Sequence, residues 1–252
     1  MKKDIVDLTI VTVTFNNIDG LRKTLDSIHK LGSLLNVEVI VVDGGSKDGS
    51  VELIKSSSII TKYVSENDNG IYDAMNKGII LASGNYINFM NAGDIFHPSF
   101  RLEHIYNEIF SGDSDVFYGK SRRISGDKEF DFNTLPLDSI LFEMPFCHQS
   151  IFTKRTLFER PYSLDYKIAG DYEFYLNLFI LGRKFNFINN YISVVDNDGL
   201  SNVNKFSSTL ERFNILKEHK LVNSKTYIKF MNYFLRSLVS DSLRKLHSIG
   251  HN

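Results

Sequence analysis

Carboxylate and amide side chains gather at three points of this chain, each at the end of an apolar run or the start of a helical one. Asp43 and Asp48 stand in Val41-Val42-Asp43-Gly44-Gly45-Ser46-Lys47-Asp48-Gly49-Ser50. Asp68 and Asp73 stand in Glu66-Asn67-Asp68-Asn69-Gly70-Ile71-Tyr72-Asp73, and Asp94 closes Asn91-Ala92-Gly93-Asp94. An ionised carboxylate is a strong acceptor for N–H and O–H groups, and oxygen ligands of this kind suit hard divalent cations. In an open α/β sheet the carboxyl ends of parallel strands line one crevice. Side chains at those ends meet around one ligand, and a nucleotide carrying a metal fits the set.

The elements that must position them follow from periodicity. Leu8 to Phe15 is β-branched on both faces, the pattern of a buried parallel strand, and Asn16-Asn17 ends it. Leu21, Leu25, Ile28 and Leu31 recur at helical spacing. Val37–Val42 reads as a second strand, with a helix opening near Asp48 or Ser50 as N-cap. Ile59–Val64 reads as a third strand, Gly70–Ala82 as a helix and Tyr86–Met90 as a fourth strand. Strands and helices alternating at short intervals predict right-handed βαβ units. After Pro98 the pattern loosens: a helix over 102–110, a short strand over 115–118, a polar pair of strands or an excursion over 122–133, and a loop through His148-Gln149 entering a strand. A second loop, Ile168-Ala169-Gly170-Asp171, feeds an apolar helix over 172–181. Residues 185–195 read as strands, 196–201 as a turn, and the chain from about 206 onward as helical.

A chain of 252 residues with 42% hydrophobic content can bury a full core. The single cysteine, Cys147, excludes an intramolecular disulfide and supports no zinc cluster. No segment offers the roughly 20 consecutive apolar residues that span a bilayer, and residues 1–7 lack the apolar stretch of a secretory leader. The expectation is a cytoplasmic protein, with the inner face of the membrane as a peripheral site. Net charge is −1, yet from Lys205 onward nine basic side chains stand against three acidic ones, so the tail carries +6 and the remainder −7. Tyr227, Met231, Phe234, Leu235, Leu238 and Val239 share one helical face, with Lys225, Lys229 and Arg236 nearby. Such a stripe suits an anionic membrane surface, a partner chain in a homodimer, or ordinary docking on the domain.

Taken together, Thr9-Ile10-Val11-Thr12-Val13-Thr14-Phe15-Asn16-Asn17, the Asp43 and Asp68–Lys77 segments, Asn91-Ala92-Gly93-Asp94, His148-Gln149 and Ala169-Gly170-Asp171-Tyr172-Glu173 resemble the family 2 glycosyltransferases, in particular the bacterial branch that builds surface polysaccharides. The resemblance spans roughly residues 8–200. It implies an α/β GT-A fold, a Rossmann-like mixed sheet flanked by helices, over residues 1–204, with basic amphipathic C-terminal helices over 205–252.

The resemblance also implies roles. Thr14, Asn16, Asp43, Asp68, Asp73, Lys77, Asn91 and His148 would bind the nucleotide sugar, with Asp43 accepting from base or ribose. Asp43 could equally be a turn aspartate, and the Asp73–Lys77 spacing is also that of a plain i, i+4 ion pair. Asp94 would ligate Mg²⁺ or Mn²⁺, standing where relatives carry Asp-x-Asp-Asp; with one charged position left, metal affinity without nucleotide would be weak. If no metal serves, Lys77, Lys120, Arg122 and Arg123 are the cations to neutralise phosphate. Asp171 takes the place of the catalytic base, and inversion needs only one. The implied activity is transfer of one sugar from a nucleoside-diphosphate sugar, UDP-linked, to a saccharide acceptor borne on a polyprenyl diphosphate. Other classes fit less well. No Gly-x-Gly-x-x-Gly follows the first strand, as a dinucleotide-binding dehydrogenase requires, nor does the basic glycine-rich loop of a nucleotidyltransferase. The acidic body disfavours nucleic acid. A degenerate transferase that only binds sugar nucleotide or scaffolds an assembly is the alternative, motivated by the acidic positions missing around Asp94.

Overall fold

The computed structural model describes residues 6–31, 36–110, 112–126, 128–196 and 205–235. Strand β1 (Leu8–Thr14) is buried at every position, as a two-sided apolar and threonine run requires. β2 (Val37–Asp43) and β4 (Tyr86–Phe89) flank it in parallel, and β3 (Lys62–Ser65) adds to β2. The crossovers are α1 (Ile18–His29), α2 (Ser50–Ser56) and α3 (Ile71–Leu81). The strand order β3-β2-β1-β4 brings the four carboxyl ends to one edge.

The second half completes a nine-stranded mixed sheet. Its elements are β5 (Ile95–Phe96), α4 (Leu102–Phe110), β6 (Val116–Ser125), β7 (Lys128–Asp131), β8 (Ile151–Lys154), α5 (Gly170–Ile180), β9 (Phe185–Asp196) and α6 (Lys205–Glu218), with 3₁₀ turns at Leu137–Leu141, His148–Ser150 and Arg155–Glu159. β8 runs antiparallel between β4 and β6, and β6 pairs in parallel with β9. One core lies under α3 and α5 and takes in Val11, Val13, Tyr72, Met75, Phe174 and Leu176. The other lies under α1 and α4 and takes in Leu8, Ile10, Ile28, Ile105 and Phe117. Gly78 lets α3 approach β1 closely, because a Cβ there would collide with the Val11 side chain.

Several boundaries differ from expectation. The short strand at 115–118 is the start of the ten-residue β6, whose polar half is held by β7 on one side and β9 on the other. Backbone pairing extends it where side-chain patterning is silent. Gly49 is the N-cap of α2; Asp48 sits one residue earlier, accepting from Ser50 N–H at 3.1 Å and from Ile18 N–H at 2.8 Å. Asp171 lies inside the first turn of α5, whose N-cap is Ala169. In the C-terminal part, residues 224–235 are helical, and the face turned to the protein carries Thr226, Phe230 and, from the expected stripe, Phe234. Tyr227, Met231 and Leu235 of the expected stripe are exposed. Most of the turn over 196–201, and Arg236, Leu238 and Val239, lie outside the described residues.

Candidate active site

At the carboxyl ends of β1 to β3 the polar groups are engaged chiefly with one another. Asn16 occupies the left-handed region (φ +46°), which asparagine tolerates. Its N–H donates to Ser46 Oγ at 2.7 Å while its Oδ1 accepts from Lys47 N–H at 2.9 Å, tying the loop after β1 to the loop after β2. Asp43 is fully buried. Its Oδ2 accepts from Ser65 Oγ at 2.6 Å, Ser46 N–H at 3.0 Å and Gly45 N–H at 3.2 Å, which is turn-building work. Its Oδ1 and the nearby Thr14 Oγ1 are buried without a hydrogen-bond partner among the described residues.

Lys77 reaches Asp68 at 2.6 Å, Glu66 at 3.0 Å and Asp73 at 3.7 Å, and donates to Asn67 O at 2.9 Å. Burial works against the ammonium, but hydrogen bonds to Asp68 and Glu66 hold its pKa well above the ordinary lysine value. The i, i+4 ion pair is thus widened into a cluster that commits Lys77 to carboxylates. Asp73 also accepts from Asn69 N–H at 2.9 Å, closing the turn into α3.

Beside this rim opens a cavity of about 1050 Å³, and five of the sequence-derived residues line it: Asn91, Asp94, Arg123, His148 and Asp171. Thr24 on α1 fixes the Asn91–Asp94 loop, donating to Asp94 O at 2.6 Å and accepting from Gly93 N–H at 3.0 Å. Asp94 Oδ2 accepts from the Gln149 amide at 2.6 Å and Oδ1 from Asp196 N–H at 3.3 Å. Burial nevertheless pushes the Asp94 carboxyl up to about 7, with those two hydrogen bonds opposing. Asn91 Oδ1 is buried and has no hydrogen-bond partner among the described residues.

His148 stacks on Phe89 with centroids 5.3 Å apart, and its Nε2 shares a hydrogen bond with Tyr162 Oη at 3.0 Å. Burial lowers its pKa, against the pull of the Asp171 charge, so the imidazole is neutral at pH 7. Asp171 Oδ1 accepts from Tyr72 Oη at 3.0 Å and from Tyr172 N–H at 2.9 Å. Glu173, two residues on, points away and is buried against Arg160 at 2.5 Å. Burial drives the Cys147 thiol up to about 11, which leaves it protonated and inert.

Of the four cations expected to meet phosphate, Arg123 alone is among the cavity-lining residues. Lys120 and Arg122 lie over the Tyr191 ring, each 5.6 Å from its centroid. Two further cations on the wall, Lys205 and Arg212, come from α6 and carry no motif that sequence reading could use. Arg212 makes only long contacts, to Ser208 O and Thr209 Oγ1 at 3.4 Å, and no carboxylate lies within ion-pair distance of it among the described residues. Gln149 and Tyr72 also line the cavity, and each stands beside a residue that the motifs single out, His148 and Asp73.

Among the described residues there is no cluster of three His, Cys, Asp or Glu able to hold a metal alone. Asp94 and the unpaired Asn91 Oδ1 offer hard oxygen donors, however, and Mg²⁺ keeps several waters and is commonly completed by substrate phosphates. The donor set fits a cation that arrives with a nucleotide.

The profile of the family described as "Glycosyl transferase family 2" matches residues 9–171. A PGL/p-HBAD biosynthesis glycosyltransferase of Mycobacterium bovis is 32% identical over 184 residues, covering 68% of this chain and 69% of the relative. An uncharacterized glycosyltransferase of Mycobacterium tuberculosis is 33% identical over 178 residues, 67% of each chain. Among solved structures, S. aureus TarS 1-349 in complex with UDP-GlcNAc superposes with a TM-score of 0.69 at 15% identity, covering 91% of this chain and 71% of that one. Mannosyltransferase PcManGT from Pyrobaculum calidifontis, in complex with GDP-Man and Mn²⁺, gives 0.64 at 15% identity, with 90% and 68% covered. These two likenesses carry the GT-A-like fold. With the profile covering well over half of its length and relatives above 30% identity, the chain belongs to glycosyl transferase family 2 and is a glycosyltransferase.

Proposed function

We propose that the cavity binds the diphosphate and sugar of a UDP-sugar and that Asp171 is the base that deprotonates the acceptor hydroxyl. The observation that carries this reading is the state of Asp171. Both of its hydrogen bonds fall on Oδ1, and among the described residues none falls on Oδ2, although the side chain lines the cavity. A carboxylate oriented on one oxygen by Tyr72 and the α5 backbone, with the other oxygen left for substrate, suits general-base catalysis.

The acceptor oxygen would attack the anomeric carbon from the side opposite the departing nucleoside diphosphate, passing its proton to Asp171 Oδ2 as the glycosidic bond forms. One carboxylate and one displacement invert the centre, in contrast with the paired carboxyl groups of retaining hydrolysis. Asp94 and Asn91 would hold Mg²⁺ or Mn²⁺, which when bound neutralises charge on the leaving diphosphate. Arg123, Lys205 and Arg212 line the same cavity and can share that task. His148, neutral and stacked, would present a hydrogen-bonding edge to sugar or phosphate. Asp43 and Thr14, with buried unpaired oxygens, and Asn16 would meet the nucleoside at the rim. Asp68 and Asp73 would border it, kept in place by Lys77.

We read the acceptor as a saccharide on a polyprenyl diphosphate at the membrane surface. No described helix is long and apolar enough to cross a membrane. The exposed Tyr227, Ile228, Met231 and Leu235 stand on one helical stretch with Lys225 and Lys229, a combination suited to an anionic bilayer. The decisive test is Asp171→Asn: turnover should fall by about 10²- to 10⁴-fold, with nucleotide binding by calorimetry nearly unchanged. Full turnover in that variant would remove Asp171 from the base role.

A further inference from the structure

Glu211 lies on α6, beyond the residues 9–171 that the family profile matches. Its carboxylate takes three successive backbone N–H groups of the segment entering α5: Lys167 at 3.1 Å on Oε1, and Ile168 at 2.9 Å and Ala169 at 2.8 Å on Oε2. These are charge-assisted bonds to a loop that has no side-chain cap of its own, since the N-cap of α5 is an alanine. In a capping box a Glu inside the helix reaches back to the N-cap N–H. Here Glu211 does so from a different helix.

The gripped residues bear directly on Asp171. The single hydroxyl proton of Tyr72 is shared between Ile168 O at 2.7 Å and Asp171 Oδ1 at 3.0 Å. Ala169 immediately precedes the first turn that carries Asp171. α6 is anchored for this task by Ile215 and Leu216, both fully buried in the core that also holds Phe174 and Leu176 of α5. From this geometry we infer that Glu211 is a positioning residue for glycosyl transfer: it fixes the 167–169 segment, and through it the orientation of Asp171 and Tyr72. The inference rests on the reading of Asp171 as base. It also makes α6 part of the catalytic apparatus.

The test uses the full chain with Glu211→Ala, Glu211→Gln, Asp171→Asn and the Glu211→Ala/Asp171→Asn double variant. Turnover is followed as nucleoside diphosphate released from whichever UDP- or GDP-sugar of a panel the wild type consumes fastest. Amide hydrogen exchange at residues 167–169 is measured in parallel. Glu211→Ala should lose protection at those amides and turn over about 10- to 100-fold more slowly, with donor KM within about twofold of wild type, because a misoriented base lowers kcat without touching donor contacts. Glu211→Gln can keep its oxygen on Ile168 and Ala169 and should fall between, which guards against simple misfolding of the alanine variant. In the Asp171→Asn background the alanine change should cost nothing further. Wild-type turnover or unchanged amide protection in Glu211→Ala would overturn the inference, as would an undiminished loss in the Asp171→Asn background. Wild-type turnover in Asp171→Asn alone would instead strike the base reading, and this inference with it.

Discussion

The rim at the ends of β1 to β3 and the cavity bounded by the Asn91–Asp94 loop, the His148–Ser150 turn, α5 and α6 are both rich in carboxylates, yet they use them in opposite ways. At the rim Asp68, Glu66 and Asp73 converge on one ammonium, and Asp43 spends one oxygen on three donors. In the cavity Asp94 is driven towards the neutral form, and among the described residues Asp171 has one oxygen without a protein donor and Arg212 has no carboxylate within ion-pair distance. Charges that satisfy one another give a rigid frame, and charges left unsatisfied are available to substrate. Substitutions at the rim should therefore show first in stability, and those in the cavity first in turnover.

The sharpest form of that contrast is Lys77→Met. Removing the ammonium leaves three carboxylates together in a part-buried cluster, and denaturant unfolding should show a loss of about 2 kcal/mol. A loss below the error of the measurement would mean the cluster is merely decorative. Tyr72→Phe is the converse case: it keeps the ring in the core but removes the hydroxyl on Asp171 Oδ1. Turnover should drop about tenfold, the order of one charge-assisted hydrogen bond. A stability loss as large as that of Lys77→Met, with turnover intact, would reverse the assignment. Ser65→Ala strips one donor from Asp43 and leaves its two backbone donors, so it should cost about 1 kcal/mol in stability and little in turnover.

How much of this was legible in the sequence depended on whether local pattern or distant packing decides each feature. Asp43, Asp68 and Asp94 could be placed because strand ends announce themselves by apolar runs ending in Gly and Asn, and β1 is buried on both faces as its composition requires. The length of β6 was not legible, since Lys120 to Ser125 is held by pairing with β7 and β9 rather than by its own side chains. The C-terminal helix has apolar residues on more than one face, and docking chose Phe230 over Tyr227 and Met231. Glu211 and Arg212 read as two ordinary charges on an amphipathic helix. Only the tertiary contact of α6 with the loop before α5 gives them their place.

The pH dependence of metal-assisted nucleotide binding probes the cavity most directly. With its carboxyl raised from 3.8 to about 7, Asp94 stays protonated in the folded protein while its unfolded counterpart ionises. It therefore withdraws stability progressively as pH climbs from about 4 to 7. A divalent cation needs the ionised form, so its binding should strengthen over the same range. Calorimetric titration of UDP and of GDP, with and without Mn²⁺, at pH 6 and pH 8, in the wild type and in Asp94→Ala, reads this out. The predicted result is Mn²⁺-dependent binding of one nucleotide, about tenfold tighter at pH 8 than at pH 6, and loss of the metal effect in Asp94→Ala. An unchanged Mn²⁺ titration in the variant, or binding of neither nucleotide by the wild type, would contradict the donor site proposed here.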